Sequence, residues 1–193
     1  MADIVAETAR LRLRSWDFED RAEFNRLLNN PPVMRWLGGV ADEAFSNAAF
    51  DRVDAYQRDF GFTFWIVERT ADGAMLGFCG LKRANAPGGE KFEGEVEIGW
   101  RLREDVWGQG YAKEAATAAL DLAFGRFAAP RVVAVTALGN LPSQGLMLRL
   151  GMTRRAELDF TDQRFPADSD VNPQVVFVLD AADWPVARAA ASR

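Results

Sequence analysis

The stretch from Glu93 to Ala119 constrains this chain more than any other. Residues Glu95-Val96-Glu97-Ile98-Gly99-Trp100-Arg101-Leu102 alternate polar and apolar side chains, the period of a strand with one covered face. After a short connection, Trp107-Gly108-Gln109-Gly110-Tyr111-Ala112 opens an alanine-rich helix. Two glycines let the backbone approach an anion closely. The first turn of the helix adds unpaired N–H groups and the positive end of its dipole. A strand, a glycine-bearing loop and a helix start in this order form an anion-binding element.

Composition narrows the chemistry around that element. The chain has 193 residues, 49% of them hydrophobic, enough for one buried core, so a single domain over residues 1–193 is expected. Its net charge of −5 argues against nucleic acid as a partner, because phosphate-backbone binding needs a basic face. No histidine is present, which removes Ser-His-Asp and Cys-His catalysis and His-ligated metals. No metal is expected. Carboxylate, Tyr, Lys, Cys, hydroxyl and water remain for proton transfer. The lone Cys79 has no thiolate-stabilising histidine and reads as core. A reducing compartment, a polar N-terminus without a leader and the lack of a membrane-length apolar run predict a cytoplasmic protein with no membrane partner.

The remaining elements are read in order. Leu11 and Leu13 alternate with Arg10, Arg12 and Arg14 in a strand whose arginines form a solvated face. Asp17 caps a helix carrying Phe24, Leu27 and Leu28, and Pro31-Pro32 ends it. A second helix spans 42–60, with Phe45, Ala49, Val53, Tyr56 and Phe60 as its apolar stripe. Residues 62–68 form a covered central strand, and 75–81 return as its antiparallel partner after the Asp72-Gly73 turn. The long alanine-rich helix then leads to a strand at 131–136, a parallel crossover. Asn140 caps a helix with Pro142 in its first turn, stopped at Gly151. Residues 152–156 and 174–180 close the sheet around a polar, mobile loop at 161–173, and Trp184-Pro185 begins a tail. The class is α/β (or α+β): a mixed sheet with helices on both faces.

The run from Glu97-Ile98-Gly99-Trp100 through Trp107-Gly108-Gln109-Gly110-Tyr111-Ala112-Lys113-Glu114-Ala115, followed by Asn140-Leu141-Pro142-Ser143 and Leu150-Gly151-Met152, resembles the Gcn5-related N-acetyltransferases (GNAT). With Arg10 to Trp16, Pro32-Val33-Met34, the 72–81 hairpin and Asp183-Trp184, the likeness extends to the branch of ribosomal-protein N-terminal acetyltransferases (RimJ/RimL-like). The resemblance implies the GNAT fold, splayed between its fourth and fifth strands (95–102 and 131–136), with acetyl-CoA as cosubstrate in the gap. The pantetheine would run along the backbone of Trp100, Arg101 and Leu102. The pyrophosphate would sit on the N–H groups of Gly108, Gln109, Gly110, Tyr111, Ala112 and Lys113. Asn140 and Ser143 match positions that contact the pantetheine arm and the thioester.

Two departures from the family pattern follow. Trp107 stands where Arg or Gln is common, so phosphate binding falls to main-chain donors. Met147 stands where many members carry a Tyr that protonates the departing thiolate, and Met has no proton to give. Ser143 is then the candidate that serves the sulfur, and backbone N–H groups near Trp100 the candidates for the oxyanion. Alternation places Glu93, Glu95 and Glu97 on one strand face, about 7 Å apart at roughly 3.3 Å rise per residue, and crowding raises carboxylate pKa values into the useful range. Glu97, nearest the proposed thioester, is the candidate base.

The expected reaction transfers acetyl to a primary amine, on a protein N-terminus or a small molecule. The acceptor pocket is expected to be lined by the early helices and the 161–173 loop. An acyl-CoA-binding sensor without transferase activity is the alternative. A nucleotide-binding protein is weighed against the absence of a P-loop pattern and of a Rossmann fingerprint. Oligomeric state stays open, with a homodimer common among the proteins this chain resembles.

Overall fold

A computed structural model describes residues 2–191. Its eight strands form one mixed sheet in the order β1-β2-β3-β4-β5-β6-β8-β7, accompanied by six α-helices. The chain divides into two compact units. The first contains the chain up to Lys82 together with Gly99–Ala118, and the second contains Arg83–Ile98 with the chain from Ala119 onward.

In the first unit, β1 (Ile4–Glu7), β2 (Leu11–Arg14), β3 (Phe64–Arg69) and β4 (Met75–Arg83, as far as Lys82) run antiparallel in sequence order. Leu11 and Leu13 are fully buried, as the alternation requires. The arginines between them are not simply solvated. Arg14 donates to Asp20 at 2.7 Å and to Glu68 at 2.9 Å, and Arg12 pairs with Glu7. Helix α1 (Asp20–Leu28) starts without the expected Asp17 cap. The order is reversed: the Asp17 N–H donates to the buried Asp20 carboxylate at 2.7 Å. Pro31-Pro32 does not merely stop α1 but occupies the first turn of a short helix, α2 (Pro31–Met34), capped by Asn30.

Helix α3 (Glu43–Phe60) is capped by Asp42 and closed by a left-handed Gly61, but its buried stripe differs from the predicted one. Phe45 and Phe60 are exposed, whereas Ser46 and Phe50 are buried. Aromatic packing turns the helix: Phe50 lies 5.4 Å from Trp16 and 5.8 Å from Phe24, ring centre to ring centre. Phe24, Leu28, Val33 and Phe50 close over Ile66 and Met75 of the sheet.

The second unit begins with a short 3₁₀ turn at Glu90–Phe92 and the start of β5 (Val96–Leu102), whose remainder from Gly99 belongs to the first unit. Helix α4 (Tyr111–Asp121) passes into a π-helical turn at Leu122–Arg126. From there the chain enters β6 (Arg131–Ala137), parallel to β5 as the crossover requires. Helix α5 (Leu141–Arg149), the two-residue β7 (Thr153–Arg154) and β8 (Gln174–Asp180) follow. β8 pairs antiparallel with all seven residues of β6.

The predicted tail is instead helix α6 (Trp184–Ala191), because Pro185 sits in the first turn, where it costs no hydrogen bond. Trp184 anchors it by donating Nε1–H to Asp121 at 3.0 Å. The loop at 161–173 is cross-tied. Asn172 accepts from the Asp162 N–H at 2.8 Å and donates to the carbonyls of Asp162 and Pro166.

Gly77 sets a tight tolerance in the first unit. A Cβ there would lie 2.0 Å from the Arg101 carbonyl oxygen, on a backbone at φ +142°. Gly77→Ala should therefore cost about 3 kcal/mol or more, whereas Gly73→Ala, left-handed but facing open space, should cost about 1 kcal/mol. Urea midpoints of the two variants would show the difference, and equal shifts would contradict the packing.

Candidate functional site

The glycine loop takes the conformation an anion site requires. Gly108 and Gly110 have φ of +72° and +83°, a region where other residues are strained. The first bond of α4 runs from the Glu114 N–H to the Gly110 carbonyl at 3.1 Å. By helix geometry the N–H groups of Tyr111, Ala112 and Lys113 precede the intrahelical ladder and point out of the helix start. Trp107 contributes more than packing: its Nε1–H donates to the Leu102 carbonyl at 2.8 Å, tying the loop to the end of β5. Gln109 is turned back on the loop by a bond from its side-chain amide to the Asp105 carbonyl.

A brace that the sequence did not reveal holds this loop. Arg10, just ahead of β2, donates Nε–H to Glu114 at 2.6 Å and Nη1–H to the Gln109 carbonyl at 3.1 Å. Its backbone N–H and the Thr8 hydroxyl both donate to the other Glu114 oxygen. The guanidinium also lies 4.4 Å from the centre of the Tyr111 ring. The partners are separated by 104 residues in the chain. Only an alignment showing paired variation could have linked them.

In the second unit the β5–β6 ladder consists of Val96 with Val132 and Glu97 with Val133, and does not continue to Ile98 and Ala134 although both strands do. Of the three carboxylates only Glu97 lies within β5. Glu93 precedes a left-handed Gly94 outside β5, and Glu95 is bonded to Arg131. Crowding is thus replaced by ion pairing. Glu97 is half-buried, and its charge helps to hold Arg164 of the 161–173 loop above the ordinary arginine range. The larger cause of that rise is the hydrogen bonding from Arg164 to the buried Asp162, opposed by burial.

Asn140 caps α5, accepting the Ser143 N–H at 3.3 Å while its own amide donates to Thr136 at 2.9 Å. Met147 is buried within α5. Cys79 is fully buried, and burial pushes its thiol well up, away from nucleophilic chemistry.

Gly99 is held against an aromatic side chain. A Cβ there would lie 3.0 Å from the Phe64 ring. Two surface clefts of the first unit, the larger about 270 Å³ and lined by Ser15, Trp16, Val53, Asp54, Gln57, Arg58 and Thr63, contain none of the predicted site residues. Among the described residues no cluster of His, Cys, Asp or Glu could hold a metal, and no helix is long and apolar enough to cross a membrane.

The sequence model of the family described as "Acetyltransferase (GNAT) domain" matches residues 10–153. The chain belongs to the GNAT acetyltransferase family. It is 32% identical over 146 residues to the YkkB protein of Bacillus subtilis, covering 75% of this chain and 83% of that one. It is 27% identical over 191 residues to an FsC-acetyl coenzyme A-N(2)-transacetylase of Aspergillus fumigatus, covering 95% and 79%. Among solved structures, an acetyltransferase of Agrobacterium tumefaciens superposes with a TM-score of 0.73 at 25% identity, covering 90% of this chain and 92% of that one. The ribosomal L7/L12 alpha-N-protein acetyltransferase RimL superposes at 0.74 over 93% and 95%, with 15% identity, a likeness of fold. The GNAT chain described here is an acyltransferase, and its eight-stranded mixed sheet is the fold of these neighbours.

Glu114 gives the brace a pH signature. Burial opposes its ionisation, but bonds from Thr8 and Arg10 outweigh burial and hold its carboxyl below the ordinary range. A depressed folded-state pKa stabilises the fold above the unfolded value, about 4.3, and that contribution is lost as pH falls through the lowered one. Glu114→Gln should cost about 1–2 kcal/mol at pH 7, and the variant and wild type should converge towards pH 3. Thermal unfolding across that range checks it; a pH-independent gap would exclude the linkage.

Proposed function

We propose that the protein is an acetyl-CoA-dependent N-acetyltransferase that acetylates a primary amine by direct attack, with the chain working as one acetyltransferase domain. The supporting observation is the left-handed pair Gly108 and Gly110 ahead of α4, which suits a pyrophosphate bound by main-chain donors. The printed names of two relatives, an N-acetyltransferase of Bacillus subtilis and the coenzyme A transacetylase, favour a nitrogen acceptor and this cosubstrate. Acetyl-CoA supplies the activated acyl group as a thioester. In this reading the backbone of Trp100 to Leu102 orients the pantetheine, and residues 108–113 hold the pyrophosphate. The place within the family stays the ribosomal-protein N-terminal acetyltransferase branch, with a protein N-terminus or a small amine as acceptor.

Glu97 is the proposed base, taking a proton from the acceptor ammonium directly or through water so that the neutral amine attacks the thioester. Ser143, set by the Asn140 cap in the first turn of α5, would hydrogen-bond the departing sulfur or relay a proton to it through water. Capping by Asn140 and contact with the pantetheine arm are compatible, because the cap uses its carbonyl oxygen and one amide hydrogen goes to Thr136.

Glu97→Gln should lower kcat about 100-fold and Ser143→Ala about tenfold, each with the KM for acetyl-CoA within about twofold of wild type. Unchanged turnover in both variants would remove them from the mechanism. Acetyl-CoA at 100 times its Kd should raise the unfolding free energy by about 2.7 kcal/mol, with no comparable effect of ATP or NAD. Stabilisation by acetyl-CoA without acetylation of any amine in a broad panel would instead identify a sensor.

A further inference from the structure

Arg101 of β5 carries a side chain with surroundings of its own. Its side chain lies in the first unit, where the guanidinium carbon is 5.6 Å from the centre of the Phe24 ring and 5.2 Å from that of Phe78. Phe24 comes from α1 and Phe78 from β4, and Phe78 stacks on Phe64 at 4.7 Å, so the rings form a fixed apolar floor. Nε of Arg101 is buried and has no hydrogen-bond partner. Among the described residues no carboxylate forms an ion pair with it.

Other arginines that are largely covered are treated differently. Arg14 meets Asp20 and Glu68, and Arg131 meets Glu95. A guanidinium withdrawn from water is costly without an anion, and ring faces return only part of that cost. Burial pulls Arg101 down to about 10, which still leaves it charged at neutral pH. The residue as a whole stays partly exposed.

We propose that Arg101 is a specificity-determining residue of the acceptor site, pairing its guanidinium with a carboxylate carried by the acceptor amine over the Phe24 and Phe78 rings. The planar fork suits a carboxylate held by two parallel bonds. This rests on the amine-acetylating reading above and names its substrate class. A free amino acid and a peptide beginning with Asp or Glu present the same chemistry.

The test compares kcat/KM, with acetyl-CoA, for β-alanine against β-alaninamide and for peptides beginning with Asp against Asn, in wild type, Arg101→Met and Arg101→Lys. The readout is the ratio within each pair, so a change in overall rate does not enter it. Wild type should favour the carboxylate member of at least one pair about tenfold or more, and which pair does so distinguishes the two sources. Arg101→Met should bring that ratio to about one through the acceptor KM, and Arg101→Lys should retain only part of it.

A ratio near one in wild type, or one that survives Arg101→Met, overturns the proposal. If Arg101→Met does not fold, Arg101→Lys decides, since a preference left intact by loss of the fork contradicts paired recognition. Thermal shift with the same amines gives a readout without turnover. Stabilisation by the carboxylate members in wild type and not in the variant supports the anion site even if no amine is acetylated, which would count against the proposed reaction alone. Absence of both stabilisation and preference rejects the site.

Discussion

Backbone pairing governs how this protein can expose a binding surface. β6 keeps β8 beside it along its whole length, yet its ladder with β5 ends at Val133 and Glu97. A strand edge that leaves its ladder has N–H and C=O groups that need other partners. Glu97 is the last residue of β5 in that ladder, and Asn140 and Ser143 follow β6 after one short turn.

The glycine loop is the second constraint, and it is met differently. Left-handed glycines make the loop shape possible but do not hold it, because glycine has more backbone freedom to lose than any other residue. Rigidity comes from Arg10, Thr8 and Glu114, with Trp107 bound to the end of β5. Glu114 sits in the first turn of α4, where a carboxylate also complements the helix dipole. Arg10 also takes the Gln109 carbonyl, fixing the direction of that peptide.

Local chemistry was legible wherever one short segment decides the outcome. The alternation of Leu11 and Leu13, the Asp72-Gly73 hairpin, the Asn140 cap and the alanine face of α4 all appear where their residues imply. The family likeness carried the fold class further than periodicity could. What was missed depends on distant partners. β1 is a weakly patterned strand stabilised by pairing with β2, and α6 is held by a bond from Trp184 to Asp121, 63 residues away. The face of α3 was misread because Trp16 and Phe24 select Phe50 over an equally apolar Phe45. At the site, Glu93 and Glu95 looked equivalent to Glu97 until Gly94 and Arg131 separated them.

Charge composition gives the arginines a common logic. With 28 acidic residues against 23 basic ones, an arginine that leaves water has carboxylates available to meet it. Arg14 and Arg131 each meet one, and their guanidinium groups are raised above the ordinary range by their acidic partners against the opposing effect of burial. Arg101 is shifted in the opposite direction, by burial. The Phe24 and Phe78 rings return part of the cost of taking that cation out of water, and the proposed carboxylate would offset the remainder.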